Sequence, residues 1–229
     1  MAWDICNRDF YILEVVMNPI TIDRVMLSEM VWRRLRSKSI NGLGGLFDEL
    51  DELRDRADYN TGSLDRQDIA DLQQIVSHFQ PVTVAEVGTF IGRSTAAMAK
   101  VMQDGGMIHT CDVSNDIKLP LFSNAVGVCQ YPKQTSTQMF QSLVGSGTRV
   151  DLFYIDGRLA ADDVPLIKKL MHDRTVFVAD DFVGIEKGVA NAMNLLAGLG
   201  APFYTLIYPR LMRKTAMLVP NTLLQFTAQ

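Results

Sequence analysis

From residue 82 onward two kinds of apolar pattern alternate. Runs rich in β-branched and aromatic residues at 82–87, 107–111, 125–131, 150–155 and 175–179 have the length of buried strands. Between most of them lie stretches with apolar residues three and four apart, at 94–102, 137–144, 162–171 and 186–199, which predict helices. Gly105-Gly106, Gly198 and Gly200 punctuate them, and Pro165 falls in a first turn, where proline is tolerated. Strand–helix alternation predicts a mostly parallel sheet covered on both faces. The last two strands, 203–208 and 216–219, have no helix between them. They predict a hairpin, and with it one antiparallel edge strand.

The first 60 residues differ in character. Ile22, Val25, Met26 and Met30 recur at helical spacing, as do Leu46, Leu50, Leu53 and Ala57. Glycine-rich or polar breaks at 41–45 and 59–63 separate these segments. Ser63 is expected to cap the next helix, with Asp65 in its first turn, Ile69, Leu72, Val76 and Phe79 as its apolar stripe, and Pro81 at its end. This divides the chain into an N-terminal helical extension, 1–60, and a main domain, 61–229.

Apolar residues make up 48% of the 229, enough for a sizeable core, and the 21% that are charged do not suggest disorder. A net charge of −4 lacks the broad basic footprint of a nucleic-acid binder. Arg33, Arg34, Arg36 and Lys38 read as a solvated helix face. Cys6, Cys111 and Cys129 form no CxxC pair and are expected as reduced thiols. Neither a leader pattern nor a long apolar span is evident, so a cytoplasmic protein without membrane contact is the expectation. Trp3, Phe10 and Tyr11 hint at a homo-oligomer contact.

In open α/β sheets ligands bind beyond the carboxyl ends of the strands. The first strand of the main domain ends in Glu86-Val87-Gly88-Thr89-Phe90-Ile91-Gly92-Arg93-Ser94, a tight turn into a helix N-terminus. Its G-x-x-x-G spacing departs from the G-x-G-x-x-G expected for a dinucleotide, which counts against NAD. Asp112 ends the next strand, where a carboxylate can accept both hydroxyls of a ribose or cap a turn. Asp156 and the pair Asp180-Asp181 end two further strands. Three carboxylates so placed repel one another without a counter-charge. A divalent cation such as Mg²⁺ could supply it, as could Arg158 through a salt bridge, or the carboxylates could cap helices.

The run 86–94 resembles the first motif of class I S-adenosylmethionine-dependent methyltransferases. Asp151-Leu152-Phe153-Tyr154-Ile155-Asp156-Gly157 and Ala179-Asp180-Asp181-Phe182 resemble later motifs of the metal-dependent small-molecule O-methyltransferases, the group that includes catechol O-methyltransferase. The resemblance covers residues 60–220 and implies a Rossmann-like, doubly wound, mostly parallel seven-stranded sheet. It also implies roles. Glu86, Gly88, Thr89, Gly92 and Ser94 would hold the methionine part of the cofactor, Asp112 the ribose, and Thr135 and Ser136 the adenine side. Asp156, Asp180 and Asp181 would bind the metal, with Asp156 also touching the cofactor and Asp156 and Asp180 acting in catalysis. The expected activity is methyl transfer to a hydroxyl of a small molecule, with Mg²⁺ lowering that hydroxyl's pKa and the N-terminal helices as a lid. An NAD-dependent oxidoreductase and a binding module without turnover are the alternatives. One departure stands out: the stretch after the fourth strand reads Asp156-Gly157-Arg158-Leu159, without the histidine or lysine that relatives carry there. His78, His109 and His172 fall away from the strand ends.

Overall fold

The structure, a computed structural model, describes residues 16–17, 20–21, 24–36, 64–114, 126–200 and 203–224. The expected helix at 46–57, Cys6 and the apolar Trp3, Phe10 and Tyr11 lie outside the described residues. In chain order the elements are β1 (Val16–Met17), β2 (Ile20–Thr21), α1 (Arg24–Arg36), α2 (Arg66–Phe79), β3 (Thr83–Val87), α3 (Arg93–Ala99), β4 (Met107–Asp112), β5 (Gly127–Pro132) and α4 (Ser136–Gly145). There follow β6 (Leu152–Ile155), α5 (Asp163–Leu170), β7 (Val176–Ala179), α6 (Lys187–Leu199), β8 (Tyr204–Ile207), β9 (Ala216–Pro220) and a 3₁₀ turn, Asn221–Leu223.

Seven strands form one sheet in the order β5-β4-β3-β6-β7-β9-β8, and β1 and β2 form a separate antiparallel ladder. The first five strands of that order are mutually parallel. The closing hairpin supplies the antiparallel edge: β9 inserts antiparallel beside β7, and β8 lies outside it. This is the Rossmann-like arrangement expected.

Strand alternation sorts the core into two layers. Val84, Leu152, Tyr154, Val176 and Val178 pack with α1, α2 and α3, while Ala85, Phe153, Ile155 and Phe177 pack with α4, α5 and α6. Aromatic contacts tie the second layer together: the Phe153 and Phe177 rings stack at 5.0 Å between centroids, with Phe140 and Tyr204 edge-on to them.

Two local expectations are corrected. The spacing turns Val25, Met26 and Met30 inward on α1, yet these are exposed, and Leu27, Val31, Trp32 and Leu35 are buried instead. Two apolar stripes compete on this helix, and the one carrying the large Trp32 ring removes more surface from water. Trp32 Nε1 donates to the Tyr208 carbonyl at 2.8 Å, so α1 is fastened to the hairpin and shares the core of the sheet. The cap of α2 is Asp65, not Ser63: its carboxylate accepts from the Gln67 and Asp68 amides at 2.8 Å each.

Candidate active site

The carboxyl ends of β3, β4 and β6 open onto a cavity of about 500 Å³, lined among others by Gly88, Asp112, Ser136, Asp156, Arg158 and Lys187. That size suits a ligand larger than a simple metabolite.

Gly88 sits at φ +97°, and a Cβ there would come 2.9 Å from the Gly157 amide nitrogen. Its role is therefore close packing of two strand-end loops as well as a tight turn. The turn continues through Gly92 at φ +83° into α3. Glu86 lies one pleat earlier and is fully buried. The Ser94 hydroxyl donates to one of its oxygens and the Thr95 hydroxyl to the other at 2.5 Å. Burial pushes the Glu86 carboxyl up to about 7, against the pull of these hydroxyls. Glu86 thus ties the first turn of α3 to β3, and Thr89 shares a 2.5 Å hydroxyl contact with Thr110 on β4.

The Asp112 carboxylate accepts from the Phe90 amide and the Ser114 amide, each at 2.7 Å. It caps the turn and also lines the cavity. Thr135 is the N-cap of α4 in a reciprocal capping box with Gln138. Ser136 donates to Asp163 Oδ2 at 2.6 Å. Both residues also line the cavity, beside Gln134.

The fold brings together Asp156, Asp180 and Asp181, with one oxygen from each within 4.8 Å of the others. Two lysines that motif spacing does not reveal meet them. Lys187 Nζ lies 2.7 Å from Asp156 Oδ1 and 3.0 Å from Asp181 Oδ2. Lys214 Nζ lies 2.9 Å from Asp181 Oδ1 and 3.4 Å from Asp180 Oδ2. Arg158, the counter-charge suggested by proximity in sequence, is exposed at the cavity rim and makes no ion pair with the triad among the described residues. The only sequence cue to Lys187 is its place at the start of the helix that follows Asp180-Asp181. Lys214 precedes β9 and has no such cue.

These charges set the acidities. Burial, then the charge of Asp180, pushes the Asp156 carboxyl up to about 7, with Lys187 opposing. Asp180 is raised by burial, with Lys214 pulling the other way. Burial would raise Asp181 as well, but its bonds to Lys214 and Lys187 win, and it is lowered. Lys187 is raised in turn: burial works against its charge, and Asp156 and Asp181 outweigh it. Asp156 faces the cavity, whereas Asp180 is buried behind it, with Thr215 donating to it at 3.2 Å. The histidines stand apart from the cavity lining; His172 pairs with Asp151 at 2.8 Å.

Residues 85–182 match the family model described as a methyltransferase domain. Among solved structures the chain is similar to the O-methyltransferase of Bacillus cereus in complex with SAH, at 16% identity and a TM-score of 0.60, over 83% of this chain and 97% of that one. It is similar to the O-methyltransferase TomG of Streptomyces achromogenes, involved in tomaymycin synthesis and in complex with SAM, at 16% identity and 0.58, over 83% and 96%. It is also similar to the SAH-bound methyltransferase PaMTH1 of Podospora anserina, at 12% identity and 0.57, over 89% and 99%. No curated protein matches it in sequence.

Proposed function

We propose that this chain, whose residues 85–182 match a methyltransferase domain and whose fold is similar to that of solved O-methyltransferases, is a class I S-adenosylmethionine-dependent methyltransferase that transfers a methyl group to a hydroxyl of a small molecule. The observation that carries the reading is the Asp112 carboxylate, anchored by two backbone amides at the mouth of a cavity that also holds Gly88, Ser136 and Asp156. A ribose placed there would donate two hydrogen bonds from its hydroxyls to that carboxylate. The adenine would lie toward Thr135 and Ser136, and the methionine toward Gly88, Thr89, Gly92 and Ser94. Nothing in the site or the comparisons favours the NAD-dependent alternative.

Methyl transfer is an in-line displacement, so alignment and exclusion of water are the main requirements. Bound S-adenosylmethionine would supply the methyl group, which the acceptor oxygen would take in line while the electrons of the carbon–sulfur bond stay on sulfur. The hydroxyl proton passes to Asp156, the triad carboxylate that reaches the cavity and whose pKa is lifted toward neutrality. Asp180 supports it from behind through its negative charge.

A divalent cation held by Asp156, Asp180 and Asp181 would supply Lewis-acid activation of the acceptor oxygen. The donor set is right for it, being oxygen only. The charge state is not: ammonium groups already lie on oxygens of all three carboxylates. The residues as arranged do not fit the ion.

The test is calorimetric titration with S-adenosylhomocysteine and with NAD, followed by methyl-transfer assays over phenols and sugars. Binding of S-adenosylhomocysteine with turnover of a hydroxyl acceptor supports the reading. Binding of NAD alone removes it, and cofactor binding without turnover on any acceptor leaves a binding module.

A further inference from the structure

We propose that Lys187 and Lys214 close the acidic corner to divalent metal, and that Lys187 presents the acceptor oxygen with the positive charge a metal would otherwise bring. The second clause rests on the methyltransferase reading above; the first does not.

Lys187 Nζ bridges Asp156 and Asp181, the same two loops a cation would bridge. Lys214 takes the remaining oxygen of Asp181 and reaches Asp180. Each oxygen of Asp181 therefore faces a different ammonium. A divalent ion bound at metal–oxygen distances of about 2.1 Å would share these oxygens with two like charges in a half-buried corner. It would have to displace at least one of them.

The two lysines are anchored by backbone contacts. A Cβ at Gly188 would stand 2.0 Å from the Asp180 carbonyl oxygen, so the start of α6 is pressed onto the Asp180-Asp181 turn and carries Lys187 with it. The Lys214 carbonyl accepts from the Phe182 amide at 2.7 Å, which fixes the hairpin loop to the same turn. Both lysines come from outside the segment that matches the methyltransferase domain, whereas all three carboxylates lie inside it.

An ammonium has three N–H groups. Asp156 and Asp181 flank two sides of the Lys187 ammonium as ion pairs, and Lys187 lines the cavity beside Asp156. The third N–H is available to a lone pair of the acceptor oxygen, next to the carboxylate that takes its proton.

The test is titration of the chelator-treated full chain with Mn²⁺, followed by the paramagnetic resonance signal of the free ion. Wild type is expected to leave that signal undiminished up to about 1 mM Mn²⁺, while Lys187→Met combined with Lys214→Met takes up one equivalent at least ~10-fold more tightly. Stoichiometric sub-millimolar uptake by wild type overturns the closure, and so does a folded double variant that binds no better. If the double variant fails to fold, the wild-type titration decides alone. S-adenosylhomocysteine affinity, measured in parallel, reports separately on the methyltransferase reading. Lys187→Met alone is expected to keep that affinity within ~3-fold and to lose ~100-fold in metal-free turnover, with partial rescue in Lys187→Arg. Unchanged turnover in Lys187→Met overturns the acceptor contact.

Discussion

Gly188 and Asp180 meet backbone to backbone: a side chain on the glycine would need the space of the aspartate's carbonyl oxygen. The contact joins the first turn of α6 to the strand-end turn that carries two of the three clustered carboxylates. Asp181 in that turn adopts φ +53°, in the left-handed region that non-glycine residues seldom use. The turn is thus held from one side by α6 and from the other by the hairpin loop at Lys214.

Gly188→Ala tests the contact. In an unconstrained helix that change would stabilise, by up to about 1 kcal/mol. Here overpacking against backbone is expected to reverse the sign, to a loss of about 1–3 kcal/mol. Denaturant midpoints of the two proteins check it. A neutral or stabilised variant would show that α6 can retreat freely.

Asp112→Ala should weaken S-adenosylhomocysteine binding by at least ~10-fold, since hydrogen bonds to a charged acceptor are worth about 1.5–3 kcal/mol each. It should also lower the melting temperature, because the Phe90 and Ser114 amides lose their acceptor. Asp112→Asn keeps one carbonyl oxygen and should fall between. Calorimetry and thermal melts together separate the two roles; an affinity equal to wild type in a folded Asp112→Ala protein removes Asp112 from the cofactor site.

Tyr154 pairs in register with Glu86 across β3 and β6 and is 1% exposed, and its hydroxyl finds no hydrogen-bond partner among the described residues. Tyr154→Phe removes an unsatisfied group at almost constant volume, so stability should stay level or rise by up to about 1 kcal/mol. A clear loss in urea unfolding would mean that the hydroxyl is engaged by water or ligand.

What could be read from the sequence was what depends on short range. Buried parallel strands show as β-branched runs, and residues at their carboxyl ends follow directly, so Gly88, Asp112, Asp156, Asp180 and Asp181 were all legible. Lys187 and Lys214 were not. Each reaches the triad because a separate element docks there, through the Gly188 contact and the Phe182–Lys214 backbone bond, and neither leaves a spacing signal. The same limit explains α1, where two apolar stripes were equally regular and only the burial of Trp32 against the hairpin decides between them. The α2 cap turned on a choice between Ser63 and Asp65 that propensity alone does not make.

Glu86 should make the protein less stable as pH rises. Its carboxyl is wholly buried, with a pKa of about 7 against an ordinary value of 4.5. Between those values the folded state holds a proton that the unfolded chain has released. The stabilisation is fully present below about pH 4.5, declines as pH climbs, and is gone once pH passes about 7; its full size is about 3 kcal/mol. Asp68 and Asp156, also raised to about 7, act in the same direction. The wild-type slope should therefore exceed one proton, and Glu86→Gln should make it shallower by about one. The variant keeps an acceptor for one hydroxyl, and the Ser94 and Thr95 hydroxyls can rotate to accept from the new amide. Unfolding free energies from pH 5 to 8.5 for both proteins give the comparison. Parallel curves would mean that Glu86 is ionised in the folded protein throughout this range, and that the hydroxyls on it, rather than burial, set its acidity.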